Sequence, residues 1–227
     1  MQIVSGLKPE DSMDQRIQSF ADLIASAAKE NLVSLVLYGS GVRDGLKARN
    51  LNLLVVLTRA GVEDLAVFRK MLAGPGRALK VQAVFLTERD LARSSDVFPI
   101  EHLEMASSYE ILKGRDVLKR LRITKQNLRH EVEYQARSVL LRLRASAAEL
   151  PVRLLADSVL FDAASSASLL FRYAGSFTRK NVSVPPVFAE LSGMKRAKKR
   201  IAGADKAVKF RELLEAVESL VRLADGK

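Results

Sequence analysis

The sequence predicts an α+β chain in which a small mixed β-sheet flanked by helices is followed by an all-α helical bundle. Two observations along its 227 residues carry that expectation. The first half alternates apolar runs of strand length with helical periods, whereas the second half keeps only long helical periods. The change falls near residues 115–124, dividing the chain into an α/β domain over 1–120 and a helical bundle over 121–227.

Each element follows from local pattern. Ile17, Phe20, Ala21, Ile24, Ala27 and Ala28 recur at helical spacing, so residues 13–29 should form an amphipathic helix. Leu32 to Tyr38 is an apolar strand, Gly39-Ser40 turns the chain, and Leu51 to Leu57 is a second strand rich in branched apolar residues. A helix over 62–72 should stop at Gly74-Pro75-Gly76. Leu79 to Leu86 makes a third strand, Thr87 is placed to cap a short helix, and residues 107–112 add a last strand.

In the second half Thr124 caps a helix that runs to Leu150 and is stopped by Pro151. The next spans 152–174 and ends at Gly175. Leu128, Val132, Val139 and Leu143 on one, and Leu155, Val159, Ala163 and Leu170 on the other, supply facing stripes. Asn181 to Pro186 is an extended connector, and helices over 187–201 and 205–224 complete a bundle of antiparallel neighbours. Such stripes suit a sister subunit as well as a bundle interior, so a homo-oligomer is compatible with the pattern.

Composition excludes several classes. With 48% apolar and 28% charged residues the chain reads as globular. No apolar run reaches the roughly 18–20 residues that span a bilayer, and the N-terminus has no secretory-signal pattern, so a cytoplasmic protein with no membrane partner is expected. There is no cysteine, hence no disulfide, thiolate ligand or cysteine nucleophile. The two histidines, His102 and His130, are far apart in sequence, and His130 within Arg129-His130-Glu131 reads as a solvated helix position.

Charge is uneven. The net charge of +11 divides into +2 over residues 1–120 and +9 over residues 121–227. Lys195, Arg196, Lys198, Lys199, Arg200, Lys206, Lys209 and Arg211 face one carboxylate, Asp205, within a single short segment. Lys195, Arg196, Lys198, Lys199 and Arg200 are therefore candidate contacts to nucleic acid or an acidic protein, the alternative being a solvated helix face. Phe210 is the only aromatic there, which gives little support for stacking on single strands.

The motif with chemical content is Leu35-Val36-Leu37-Tyr38-Gly39-Ser40, nine intervening residues, then Asn50-Leu51-Asn52-Leu53-Leu54-Val55-Val56-Leu57. An apolar strand entering Gly-Ser, followed by a strand that opens polar-apolar-polar-apolar, resembles the signature of the nucleotidyltransferase superfamily in its minimal form. The later strand with Gln82 and the segment Tyr109 to Leu118 extend the resemblance over residues 15–120, and the helical half is similar to the bundles that accompany such domains. The resemblance implies that Gly39 and Ser40 sit against a nucleoside triphosphate, with Arg43 within reach of phosphate. It also implies Asp or Glu at positions 50, 52 and 82, where this chain has Asn50, Asn52 and Gln82.

That departure has a definite meaning. Two-metal phosphoryl chemistry needs carboxylates reaching ions about 3.5–4 Å apart. An amide offers one neutral carbonyl oxygen and an NH2 that points positive hydrogens at a cation. With these residues no metal or other cofactor is expected; the plainer alternative is that Asn50, Asn52 and Gln82 merely hydrogen-bond to one another and to nearby backbone, and both readings predict little catalysis. Asp44, Glu101 and Glu104 read as solvated loop positions rather than replacements. The resulting expectation is a catalytically degenerate pseudoenzyme acting as a nucleotide- or partner-binding module. The alternatives are an active magnesium-dependent enzyme that transfers a nucleoside monophosphate to a small molecule or protein, and a nucleic-acid binder working through the basic C-terminal helices.

Overall fold

Alternating apolar residues build a four-stranded sheet of β1 (Leu32–Tyr38), β2 (Leu51–Leu57), β3 (Val81–Thr87) and β4 (Tyr109–Gly114), in the spatial order β3-β2-β1-β4. It is mixed: β1 is antiparallel to β2 and β4, while β2 and β3 run parallel. The computed structural model describes residues 13–44, 48–178 and 182–226. Asn181 of the expected connector lies outside them. The chain divides into two compact units between Ile123 and Thr124.

In the first unit the central strands are buried on both faces. Leu35, Leu37, Leu51, Leu53, Val55 and Leu57 pack with Ile17, Phe20, Ala21 and Ile24 of α1 (Met13–Ala28), which presents the apolar stripe read from the sequence. On the opposite face Val36, Leu54 and Val56 pack against Leu91 of α5 (Glu88–Arg93), Met105 of α6 (Pro99–Ser107), Val117 and Leu118. The short helix α2 (Ser40–Asp44) follows β1 and packs against β1 and β2. The start of α5 is capped as expected: the Thr87 hydroxyl accepts from Asp90 N (3.0 Å), and the Asp90 carboxylate accepts from Thr87 N (3.1 Å).

Two expectations fail here. After α3 (Val62–Ala66) and α4 (Arg69–Met71), the chain does not break at Gly74-Pro75-Gly76 but continues as a π-helical turn, Leu72–Gly76. The wider i→i+5 turn tolerates a proline that would clash in an α-helix, and the Pro75 carbonyl still accepts from Leu79 N (3.0 Å). Glu101 and Glu104 are not on a loop; they lie on α6, which Pro99 starts at a position where its missing N–H costs nothing.

The bundle of the second unit comprises α7 (Lys125–Glu149), α8 (Asp157–Ala174), α9 (Pro186–Arg196) and α10 (Gly203–Asp225). Thr124 caps α7 by accepting from Asn127 N (3.1 Å). Leu128, Val132, Val139, Leu143, Ala163 and Leu170 are buried as their spacing predicts. The Phe171 and Phe188 rings meet in the core with centroids 5.4 Å apart.

The expected single helix over 152–174 is instead a 3-10 turn, Val152–Leu154, then two extended residues, then α8. Lys206 is the reason. Its ammonium, buried with the residue only 7% exposed, donates to the Leu155 carbonyl (2.8 Å) and pairs with Asp157 (2.7 Å). Asp157 also accepts from Ile201 N (3.1 Å). Leu155 (ψ 145°) and Ala156 (ψ 140°) are extended, which turns the Leu155 carbonyl out of a helical ladder and toward this ammonium. In consequence Leu160 rather than Val159 takes the core position.

Helix α9 stops at Arg196, not residue 201. Lys198 adopts a left-handed conformation (φ 53°), with Lys198 N bonded to Lys195 O (3.2 Å) and Lys199 N to Met194 O (3.0 Å). This is a Schellman ending with lysine where glycine is usual. Among the described residues no helix is long and apolar enough to cross a membrane.

Candidate functional site

The register of the sheet builds the candidate site. Tyr38 at the end of β1 pairs with Asn52 near the start of β2, Asn52 with Gln82 of β3, and Tyr38 with Tyr109 of β4. Residues opposite one another on neighbouring strands present side chains to the same face. One row across the sheet therefore reads Gln82, Asn52, Tyr38, Tyr109. It lies at one end of the face whose interior is Val36, Leu54 and Val56.

Gly39 ends β1 beside this row. Its φ of 72° is a conformation that only glycine adopts without strain, and its N–H donates to Ser108 O (2.8 Å). A Cβ placed on Gly39 would stand 3.5 Å from the Asn52 amide nitrogen, so the Asn52 side chain lies over the turn. Ser40, half-buried, opens α2, and Arg43 is exposed near its end. Gly39 and Asn52, separated in sequence by all of α2 and the segment after it, are thereby brought together. Asn50 lies immediately before β2 and is half-buried.

The amides do not satisfy one another. Among the described residues Asn50, Asn52 and Gln82 make no side-chain hydrogen bond, contrary to the plainer alternative. Asn52 is half-buried and Gln82 exposed, so water can serve them, and the rule that buried amides must find protein partners does not bind them.

Two residues of the row escaped sequence reasoning. Burial raises the Tyr38 phenol above its ordinary pKa. Tyr109 is raised too, first by burial and then by the Asp116 carboxylate, to which its hydroxyl donates (3.0 Å). Both phenols thus stay protonated hydrogen-bond donors at neutral pH. Asp116 is fully engaged, its other oxygen accepting from Leu118 N (3.1 Å) and Lys119 N (3.0 Å). The signal for Tyr38 was its place before Gly-Ser; Tyr109 had none until the register was known. Among the described residues no group of three or more His, Asp or Glu side chains is disposed to hold a metal ion.

The basic segment of the second unit is smaller than its sequence suggests. Lys206 is buried in the pair described above, and Lys209 pairs with Glu190 and Glu212. Lys195 reaches Asp162 (3.0 Å). Arg196, Lys198, Lys199 and Arg200 are exposed and pair with no described carboxylate through a direct contact.

His102, to which the sequence assigned no role, is buried at 2% exposure on α6. Its Nε2 is 3.2 Å from the Ser94 hydroxyl, its Nδ1 has no partner, and burial lowers its pKa. His130 is exposed on α7, as its charged sequence setting suggests.

No protein-family model matches the sequence, and no curated protein matches it either. Similarity is found among solved structures. A spectinomycin adenyltransferase from Enterococcus faecialis, crystallised with ATP and spectinomycin, superposes with a TM-score of 0.52 at 11% identity, covering 94% of this chain and 100% of that one. At that identity the likeness speaks for architecture alone: the chain has a nucleotidyltransferase-like fold, with a mixed sheet flanked by helices and a helical C-terminal region.

Proposed function

We propose that this chain is a non-catalytic nucleotidyltransferase-fold protein that binds a nucleoside triphosphate at Gly39, Ser40 and Arg43, beside the uncharged row of Gln82, Asn52, Tyr38 and Tyr109. One observation carries the reading: Asn52 lies over the Gly39 turn and is in register with Gln82, so the residues beside the turn are amides. A magnesium pair does not fit that donor set. Magnesium in phosphoryl-transfer sites is bound through one or two carboxylates plus substrate phosphates, and two amides supply neither the charge nor the donor number. The ATP in the structural neighbour supports a nucleotide as ligand.

The test is paired. Titration calorimetry with ATP should give binding, while incubation with labelled ATP, magnesium and candidate acceptors, spectinomycin among them, should give no transfer. Turnover above background would establish the active alternative instead. Absence of any nucleotide binding would leave the fold as a docking module for a macromolecular partner.

A second reading rests on the second unit. Arg196, Lys198, Lys199 and Arg200 place four exposed cations within five residues, a footprint suited to a phosphate polymer. Affinity for a short RNA or DNA duplex should fall steeply with salt and fall again in Lys198→Gln/Lys199→Gln. Lack of binding at low salt would remove this reading.

A further inference from the structure

The segments that border the amide row are basic. Arg49 and Asn50 immediately precede β2, and Lys80 immediately precedes β3, the starts of the two strands being tied by Leu51 N donating to Lys80 O (3.1 Å). Arg43 lies on α2 after the Gly39 turn. All three cations are exposed, and none pairs with a described carboxylate. Within segments 39–44, 48–52 and 77–82 the charged residues are Arg43, Arg49, Arg77 and Lys80 against the single acid Asp44. The residues that lead β4 into the row, Ser107, Ser108 and Tyr109, are uncharged.

An active enzyme of this fold class needs acids because it must hold cations, and the cations then hold the phosphates. Here the corresponding positions are amides, while exposed cations directly precede β2 and β3 and lie on α2, so positive charge is available to a polyanion without a metal. Lys80 ends the preceding helical turn in a left-handed conformation (φ 55°), its N–H donating to Arg77 O (3.1 Å), which sets it directly before β3.

From this charge arrangement we propose that the site is a metal-independent polyphosphate site, in which Arg43, Arg49 and Lys80 take over the charge neutralisation that divalent ions perform elsewhere. The proposal rests on the nucleotide-binding reading above and sharpens it. Its consequence is an inverted metal dependence. A nucleoside triphosphate carries about four negative charges free and about two as its magnesium complex. A floor of carboxylates binds the complex and repels the free anion; a rim of cations over a neutral floor prefers the free anion.

The experiment is calorimetric titration of the full chain with ATP, ADP and AMP, in EDTA and then in excess magnesium. Affinity should rise from AMP to ATP in EDTA, and magnesium should weaken ATP binding roughly five- to tenfold. Arg43→Gln, Arg49→Gln and Lys80→Gln should each weaken it about two- to fivefold, as expected for exposed charges, with unfolding curves confirming that the variants are folded. Binding that requires magnesium would overturn this inference and leave the nucleotide reading standing. Absence of binding in both buffers would overturn the nucleotide reading itself. If Lys198→Gln/Lys199→Gln removes the ATP signal, the anion site lies in the second unit and the inference is wrong.

Discussion

Placing acids in the row converts its geometry into a measurable number. Asn52 and Gln82 are in register on parallel neighbouring strands, whose spacing is about 4.8 Å. In Asn52→Asp/Gln82→Asp two carboxylates would therefore lie roughly 4–6 Å apart. Two unit charges at about 4 Å repel by about 1 kcal/mol in water and about 4 kcal/mol at an effective dielectric near 20. Because Asn52 is half-buried and Gln82 exposed, the penalty should fall toward the lower limit, about 1–2 kcal/mol. A divalent ion between the carboxylates reverses the sign: at about a hundredfold excess over its dissociation constant it restores about 2.7 kcal/mol. Urea unfolding of the double variant should thus show a loss in EDTA that is recovered in millimolar magnesium, while the parent is indifferent to the ion. Adding Asn50→Asp should strengthen the response only if the segment before β2 can swing its side chain to the row. Should the double variant lose no stability in EDTA and gain none from magnesium, the two side chains do not share a site and the reading of the row as a metal floor stripped of its acids is refuted.

Other predictions follow from buried groups and constrained backbone. Lys206→Met removes the cation that holds Asp157 and the Leu155 carbonyl; breaking a buried pair from one side costs about 3–5 kcal/mol, and the remaining bond from Ile201 N to Asp157 should bring the loss nearer about 2–3 kcal/mol in denaturant unfolding. The hydrogen bond from Lys206 holds the Asp157 carboxyl below its ordinary pKa, so its contribution is present above the unfolded value near 3.9 and is lost as pH falls through the folded value; the variant should lose that part of the acid sensitivity. His102, with its pKa lowered chiefly by burial, contributes stability fully present above about pH 6.5 and lost as pH falls toward the folded value. Its replacement in His102→Gln should flatten the stability profile below about pH 6.5. Gly114→Ala forces a Cβ into the Val33 carbonyl oxygen at a φ of 79°, and should cost more than about 2 kcal/mol by thermal unfolding; an alanine tolerated there would mean that the β1 to β4 pairing is not as described.

The sequence by itself determined the elements whose signal is local. Ile17 to Ala28 buries the stripe its spacing announces, Leu32–Tyr38 and Leu51–Leu57 are strands at the residues their composition marks, and Thr87 and Thr124 cap the helices they precede, because periodicity, β-branching and capping are properties of adjacent residues. The chemical types at positions 50, 52 and 82 were equally legible, since the absence of charge is written in residue identity. What the tertiary structure decided were matters of partnership. Lys206 looks like one more cation in a basic run until α8 brings Asp157 to it, and the same ammonium meets the carbonyl of extended Leu155 inside the helix expected from residue 152. Gly74-Pro75-Gly76 carries the strongest break signal in the chain, yet a π-turn overrides it. Tyr38 and Tyr109 join the amides in one row only through the register of three strand pairings, a relation between segments distant in sequence that no local pattern encodes.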